Sequence, residues 1–164
     1  MRCNDVPRSI SDRRSAATRR STETRVVNSL DLISISDREL LQALIGSERR
    51  PNLIVECGAG DADDVLRQFQ LVCDAPVHSC RLPGALDLPA GAAGTLLLHD
   101  VAALTISQQV MLFDWLQHRR GDMQVVSVTG IRLMDLVRDG RFLEGLFYRL
   151  NIISLTAQRR RREL

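Results

Sequence analysis

A glycine turn followed by an acidic residue is the segment of this chain with the clearest potential for chemistry. Gly58 and Gly60 follow the apolar run 52–56, and Asp61 comes next. Where such a turn opens a helix, its backbone N–H groups bind phosphate while a lysine neutralises the phosphate charge. The chain contains no lysine, since its 22 basic residues are all arginine. An aspartate in that place repels phosphate by about 4 kcal/mol at about 4 Å and an effective dielectric constant of about 20.

The aspartates of this segment also have a purely structural interpretation. Asp61, Asp63 and Asp64 stand at the predicted start of a helix. Carboxylates there accept hydrogen bonds from free N–H groups and suit the helix dipole. We favour helix capping here over a functional phosphate site. On this interpretation the protein's own acid fills the place of a bound anion.

Strands and helices alternate along the chain. Continuous apolar runs bounded by polar or glycine residues predict strands, and apolar residues spaced three and four apart predict helices. This alternation is typical of an α/β fold with a mostly parallel sheet covered on both faces. The predicted strands are 52–56, 76–80, 95–99, 123–128 and 151–155, with a loop over 81–94 and short helices over 132–139 and 142–149.

The longest predicted helix begins at a capping box. Thr105 and Gln108 have the spacing at which an N-cap side chain and the third helical residue satisfy each other's backbone N–H groups. The apolar residues that follow have the spacing of one helical face, the kind of stripe that packs on a core. This predicted face consists of Ile106, Val110, Phe113 and Leu116.

Two longer stretches resemble a known family. The stretch 94–117, GTLLLHDVAALTISQQVMLFDWLQ, and the stretch GRFLEGLFYRLN ending at Asn151 are similar to signature segments of the AAA+ ATPase domain of sigma-54-dependent transcriptional activators. The resemblance covers 36–164. It implies a P-loop NTPase-like α/β fold, with a parallel sheet of about five strands flanked by helices and the lid subdomain absent. Residues 35–158 would then form a truncated, degenerate AAA+ core.

The resemblance also places a nucleotide site on the glycine turn. The family's phosphate loop, GESGTGKE, corresponds to residues 55–62. Glu56, Gly58 and Gly60 keep the family's residues, whereas Asp61 stands at the position of the lysine. These four residues are the implied nucleotide-binding set, in degenerate form.

The acidic strand end of the family, GTLFLDEI, corresponds to residues 94–101. His99 stands where the family has the aspartate that organises magnesium, and Asp100 replaces the glutamate that positions water. Phosphoryl transfer needs both a metal ion and an oriented nucleophile. One carboxylate cannot fill both roles, so Asp100 is interpreted as a remnant of this pair.

Three later positions correspond to family residues that sense or complete the site. Gly130 stands at the sensor asparagine, and Leu143 stands at the first of two arginines that reach a neighbouring subunit's nucleotide. Arg149 keeps the second arginine and is a candidate arginine finger. The alternative for Arg149 is a helix-end arginine that pairs with a carboxylate or a carbonyl group.

These departures predict a protein that is not an enzyme, with no ATPase activity, no ATP or Mg²⁺ as cofactor and no bound metal. The resemblance implies transcription regulation through protein–protein interaction, with an intact AAA+ activator subunit or the transcription machinery as partner. The segment 81–93 lacks the GAFTGA motif with which the family contacts the sigma factor. The alternatives are a nucleotide-binding module without efficient hydrolysis and a nucleic-acid-binding protein that uses its arginine-rich termini.

Charge is distributed unevenly along the chain. Residues 1–25 hold seven arginines and three acidic residues, a net charge of +4, and residues 159–164 add +3. Because the whole chain carries +2, the remainder carries −5. We predict a disordered, Arg- and Ser-rich arm over 1–34 and a basic tail over 159–164, either of which could contact nucleic acid phosphates.

Composition also predicts the compartment. No apolar run reaches the roughly 18–20 residues that span a bilayer, and no apolar segment follows the basic N-terminal residues as in a secretory signal. We therefore expect a cytoplasmic protein without a membrane partner. The four cysteines lack the paired spacing of a zinc site and are predicted to be buried thiols.

Overall fold

A computed structural model describes residues 50–58, 60–73, 76–91, 93–119 and 122–157. The predicted arm over 1–34 and the tail over 159–164 lie outside these residues. Five strands alternate with four helices and one 3₁₀ turn in the described part. In chain order they are β1 (Leu53–Cys57), α1 (Ala62–Val72), β2 (Val77–Arg81), β3 (Gly94–His99), the 3₁₀ turn (Val101–Ala103), α2 (Ile106–His118), β4 (Met123–Thr129), α3 (Leu133–Arg138), α4 (Glu144–Leu150) and β5 (Ile153–Ala157).

All five strands lie parallel in one sheet, in the order β2-β3-β4-β1-β5. The connection from β1 to β2 runs across the sheet in one direction, and the connections that follow return in the other. Parallel crossovers are right-handed, so this reversal places α1 on one face and α2, α3 and α4 on the other. The α/β class and the parallel sheet of five strands flanked by helices are thereby confirmed.

Each face of the sheet has its own apolar core. Val55, Leu97 and Val126 point to the α1 side, and Ile54 and Leu98 point to the side of α2, α3 and α4. Successive strand residues alternate between faces, so a strand in the middle of a covered sheet must be apolar on both. β3 meets this condition, because its three leucines are fully buried.

The capping box of α2 is confirmed, but its predicted buried face is wrong in part. The Thr105 hydroxyl accepts the Gln108 backbone N–H at 3.3 Å, and the Gln108 side chain accepts the Thr105 N–H at 3.0 Å. Of the predicted face, Leu116 is buried and Phe113 partly buried, whereas Ile106 and Val110 are 53% and 45% exposed. The face that packs on the core instead consists of Gln109, Leu112 and Leu116.

Gln109 lies in the core because it bonds backbone groups that no apolar residue could satisfy. Its Nε2 donates to the carbonyl oxygens of Leu104 at 3.0 Å and Arg141 at 3.1 Å, and its Oε1 accepts the Leu143 N–H at 2.8 Å. This one side chain joins the start of α2 to the connection between α3 and α4. The polar residue is thus a structural requirement of the buried face.

We expect Gln109→Leu to lower the free energy of unfolding by about 3 kcal/mol. The substitution leaves three backbone groups without partners, and each buried unsatisfied group costs about 1–3 kcal/mol, partly offset by added apolar burial. Urea unfolding followed by circular dichroism measures the change. Gln117→Leu, on the exposed side of the same helix, is the matched control and should stay within about 0.5 kcal/mol of wild type. Equal stabilities for the two variants would contradict the prediction.

Candidate functional site

The glycine turn lies at the carboxyl end of β1 and leads directly into α1. The Asp61 N–H donates to the Gly58 carbonyl at 3.0 Å, which closes the turn. Gly60 has a φ of +93°, a conformation that glycine adopts without strain. A Cβ atom on Gly58 would lie 3.0 Å from Asp61 Oδ2, so the carboxylate is folded back over the glycine. The turn therefore brings together three of the four predicted nucleotide-binding residues.

The prediction that aspartates cap α1 is wrong in part: Asp63 and Asp64 do lie in its first turn, where their charges suit the helix dipole, but the capping hydrogen bond is not formed among the described residues. Asp61 occupies the N-cap position, but its carboxylate accepts no hydrogen bond from the described N–H groups of the helix start. The physical reason is its backbone conformation, φ −92° and ψ −11°, because a capping side chain requires the extended conformation that Thr105 has at the start of α2. Asp64 instead forms an ion pair with Arg67.

Asp63 joins α1 to the ends of two strands. Its Oδ1 accepts a bond from Arg81 Nη2 at 2.5 Å and lies 3.3 Å from His99 Nε2. The hydrogen bond from Arg81 lowers the pKa of Asp63 against the opposing effect of burial, and the positive charges of Arg81 and Arg67 act in the same direction as the hydrogen bond. The carboxyl ends of β2 and β3 are thus tied to the first turn of α1 by one carboxylate, which is ionised at neutral pH.

His99 is buried beneath this carboxylate. Its side chain is 10% exposed, and its Nδ1 has no hydrogen-bond partner among the described residues. Burial is the main cause that lowers the pKa of His99, and the positive charge of Arg81 adds to it, while Asp63 and Asp100 oppose the change. The lowered pKa favours the neutral imidazole at neutral pH, with Nε2 placed 3.3 Å from Asp63 Oδ1.

The stability of the protein should consequently fall as the pH drops below about 6.5, the ordinary pKa of histidine. Because its His99 pKa is lowered, the folded state binds a proton on the imidazole less readily than the unfolded state does. The contribution of His99 to the free energy of unfolding is therefore complete above about pH 6.5 and is lost as the pH falls from there through the pKa of His99 in the folded state. His99→Gln keeps a donor toward Asp63 without titrating. Urea unfolding between pH 5 and 8 should give a flatter profile for the variant, and parallel profiles would contradict the assignment.

Among the described non-glycine residues, Asp100 has a positive φ, with φ 57° and ψ 55°. Aspartate tolerates this left-handed conformation better than most residues do. It directs the chain from the end of β3 into the 3₁₀ turn. The charges of Asp61 and Asp100 act on Cys57, whose pKa is raised to about 11 by burial and then by these two carboxylates. Asp100 and Asp61 therefore contribute to one negatively charged region.

Gly130 follows β4 at the same edge of the sheet. A Cβ atom placed there meets nothing within 4 Å, so the backbone leaves room for the side chain that the family has at this position. The neighbouring Thr129 hydroxyl is used locally, since it bonds the Ile131 carbonyl at 2.9 Å and the Ile131 N–H at 3.2 Å. A Cβ atom at Gly130 would therefore meet open space, at the position that the resemblance aligns with the sensor asparagine.

Arg149 lies apart from all these residues, at the amino end of the sheet. The Asn52 side chain, just before β1, donates to the Arg149 carbonyl at 2.8 Å. The Arg149 guanidinium is 5.5 Å from the centre of the Phe113 ring, over its face. Leu143, at the family's other arginine position, is the N-cap of α4. The structure therefore separates the candidate finger from the glycine turn of its own chain.

The connection between β2 and β3 is held down along α2. Gln108 Nε2 donates to the Gly84 carbonyl at 2.7 Å, and Trp115 Nε1 donates to the Pro89 carbonyl at 3.1 Å. Leu82 is buried, and Leu86 and Leu88 pack against the same core. This segment, in the region where the family carries its sigma-contacting motif, is fixed to the body by bonds at both ends.

Arg81 is the site residue that sequence reasoning missed. The end of β2 lies beside the end of β3 in register, Arg81 opposite His99. A charged residue that ends a strand next to another strand end was the available signal.

Among the described residues, no group of three His, Cys, Asp or Glu side chains is placed to hold a metal ion. No helix in this part of the chain is long and apolar enough to cross a membrane.

Comparison with known proteins finds similarity to sigma-54-dependent regulators. A family model described as the Sigma-54 interaction domain matches residues 79–157. The alginate biosynthesis transcriptional regulatory protein AlgB of Pseudomonas syringae pv. tomato is 36% identical over 38% of this chain and 16% of its own length. The sigma54-dependent transcriptional regulator SfnR of Pseudomonas fluorescens is 30% identical over 68% of this chain and 34% of its own length. The chain thus spans about a third or less of the length of these relatives.

Solved structures agree in fold. NtrX from Brucella abortus in complex with ADP has a TM-score of 0.60 and 16% identity, over 88% of this chain and 42% of NtrX. The P-loop NTPase domain of the sigma-54 transport activator from E. coli has a TM-score of 0.52 and 17% identity, over 73% of this chain and 98% of that domain. The chain therefore has the fold of a P-loop NTPase domain, and its residues 79–157 are similar to the Sigma-54 interaction domain.

Proposed function

We propose that this chain regulates transcription in the bacterial cytoplasm by binding another protein, and that it does not hydrolyse ATP. The observation that carries the proposal is the excess of carboxylates around the glycine turn. Asp61 lies folded over Gly58, and Asp63 and Asp100 lie near it on the same edge of the sheet. Opposite them stands the Arg81 guanidinium, already bonded to Asp63.

ATP with Mg²⁺ fits these residues poorly. The triphosphate would approach three carboxylates and one guanidinium, and in a partly exposed site each unscreened charge pair at about 4 Å contributes about 4 kcal/mol at most. His99 offers no compensating charge, because burial lowers its pKa and keeps it neutral. Neither it nor Gly130 supplies the carboxylate or amide that the family uses there. Within the described ranges, the carboxylates are not grouped as three ligands of one metal ion.

The fixed connection between β2 and β3 supports binding without remodelling. Its two bonds to α2, from Gln108 and Trp115, hold it along the body. A segment fastened in this way is poorly suited to reach into a sigma factor. An intact AAA+ activator subunit is therefore the partner we favour, with other parts of the transcription machinery as the next candidates.

Purified chain should be retained on an immobilised intact activator from the same cell, with or without ATP. It should fail to remodel a sigma-54 polymerase complex by itself, since the contact motif is missing from residues 81–93. Pull-down with purified activator and, separately, with purified sigma-54 measures both outcomes. A robust complex with sigma-54 alone, together with none with the activator, would refute the proposal.

A nucleotide-binding module without efficient hydrolysis is the second candidate. Gly60, at φ +93°, keeps the turn that leads into the helix start, where backbone N–H groups favour anions. NtrX from Brucella abortus, which shares the fold, has been solved with ADP and with ATP. Measurable ATP affinity in the wild-type chain without phosphate release would favour this candidate.

A further inference from the structure

Two arginines meet at the amino end of the sheet, on the opposite edge from the glycine turn. Arg119 follows α2, and Arg149 is in the last turn of α4. Both are anchored by Asn52, whose Oδ1 accepts Arg119 Nη2 at 3.3 Å and whose Nδ2 donates to the Arg149 carbonyl at 2.8 Å. Asn52 itself is buried and also accepts the Val125 N–H at 3.1 Å. We call Arg119 and Arg149 the arginine pair.

Aromatic rings of α2 hold both guanidinium groups in place. Arg119 lies 5.7 Å from the centre of the Trp115 ring, and Arg149 lies 5.5 Å from the centre of the Phe113 ring. Stacking over an aromatic face occupies the flat side of a guanidinium and leaves the N–H groups at its edge for a planar acceptor. The pair is thus pre-positioned, so that little side-chain freedom remains to be lost on binding.

The arginine pair lacks an acidic partner in the described part of the chain. The ion pairs there involve Asp63, Asp64 and Asp135, all on other elements. Arg119 Nη1 is buried without an acceptor among the described residues. Burial and the neighbouring charge of Arg149 lower the pKa of Arg119, although the group stays charged. Buried donors of this kind are nearly always bonded in native proteins.

We propose that the arginine pair is a docking site for a carboxylate side chain, aspartate or glutamate, of a partner protein. The assignment rests on the proposed protein-binding function and names the chemistry of the partner's surface. A carboxylate is planar and has two acceptor oxygens, which match the two parallel N–H groups at the edge of a guanidinium. Two fixed arginines on a folded edge do not form the long basic track that follows a nucleic acid backbone. Docking pairs the exposed Arg149 guanidinium, which has no acidic partner among the described residues.

A short glutamate peptide is the probe for this site. The Nε–H signals of the arginines, followed by NMR during titration with hexaglutamate, should shift for Arg119 and Arg149 and saturate. Arg119→Gln and Arg149→Gln should each weaken the peptide at least ten-fold. Arg138→Gln, which removes an exposed arginine already paired with Asp135, is the matched control and should leave the affinity unchanged.

Two further arms make the result decisive. Inorganic phosphate and a single-stranded oligonucleotide of equal charge should bind more weakly than the peptide, and tighter oligonucleotide binding would overturn the assignment. Peptide binding that survives Arg149→Gln would also overturn the assignment. Because Arg149 is exposed, this variant should fold normally and remains informative even if Arg119→Gln impairs folding. The titration contains no activator, so a failed pull-down and a failed peptide titration are separate results.

Discussion

Wild-type protein should release no phosphate from ATP above background, and Asp61→Lys should bind ATP at least ten-fold more tightly than wild type does. The substitution replaces a repulsion with an attraction at the start of α1, where the glycines already set the turn. Each charge pair contributes about 4 kcal/mol at about 4 Å and an effective dielectric constant of about 20. Solvent screening reduces this considerably at a partly exposed residue, yet a ten-fold change requires only about 1.4 kcal/mol.

Calorimetric titration with ATP and a colourimetric phosphate assay measure the two quantities. Asp139→Lys makes the same change in net charge at an exposed position after α3, so it separates the local effect from the general attraction of ATP to a more basic protein. We expect no gain in affinity from this control. Wild-type turnover on the order of 0.1 per second or faster, abolished by Asp100→Ala, would show that the site is a working ATPase.

The sheet could be predicted from the sequence because its strands are apolar on both faces. Leu96, Leu97 and Leu98 are buried whichever side they point to, and such a run does not need the alternation that marks a half-exposed strand. The last strand began two residues later than predicted. Asn151 is taken by α4, since its N–H bonds the Phe147 carbonyl at 2.8 Å. Helix capping thus decided a boundary that hydrophobicity alone left open.

The candidate site was harder to predict, because its contacts join distant segments. The glycine turn and the strand end at Asp100 follow from local patterns. The bonds from Arg81 and His99 to Asp63 depend on which strands are neighbours, and no local pattern contains that information. The inward position of Gln109 was missed for a related reason, since polar residues were assigned to the outer face of α2. Its partners on the connection between α3 and α4 become visible only in three dimensions.

Titrating this chain into a purified intact activator from the same cell should change the activator's ATPase rate, and Arg149→Ala should remove or alter that change. As an alternative to carboxylate docking, the resemblance implies that this arginine faces a neighbouring subunit's nucleotide, and supplying or withholding such an arginine changes turnover by roughly 10³–10⁵. Arg149 is exposed and lies far from the chain's own glycine turn. If the chain does not hydrolyse ATP, as we propose, it can in this way still act on its neighbour.

The size of the effect follows from how rings are built. On the proposed function, each incorporated chain would contribute one interface and no working nucleotide site, so even sparse incorporation should alter the rate of the assembly. Arg138→Ala removes another exposed helical arginine and should behave like wild type, and so should a chain without residues 1–30, because the arm is not part of the predicted interface. If a large excess of wild-type chain leaves the activator's rate unchanged, the action of Arg149 in trans is refuted.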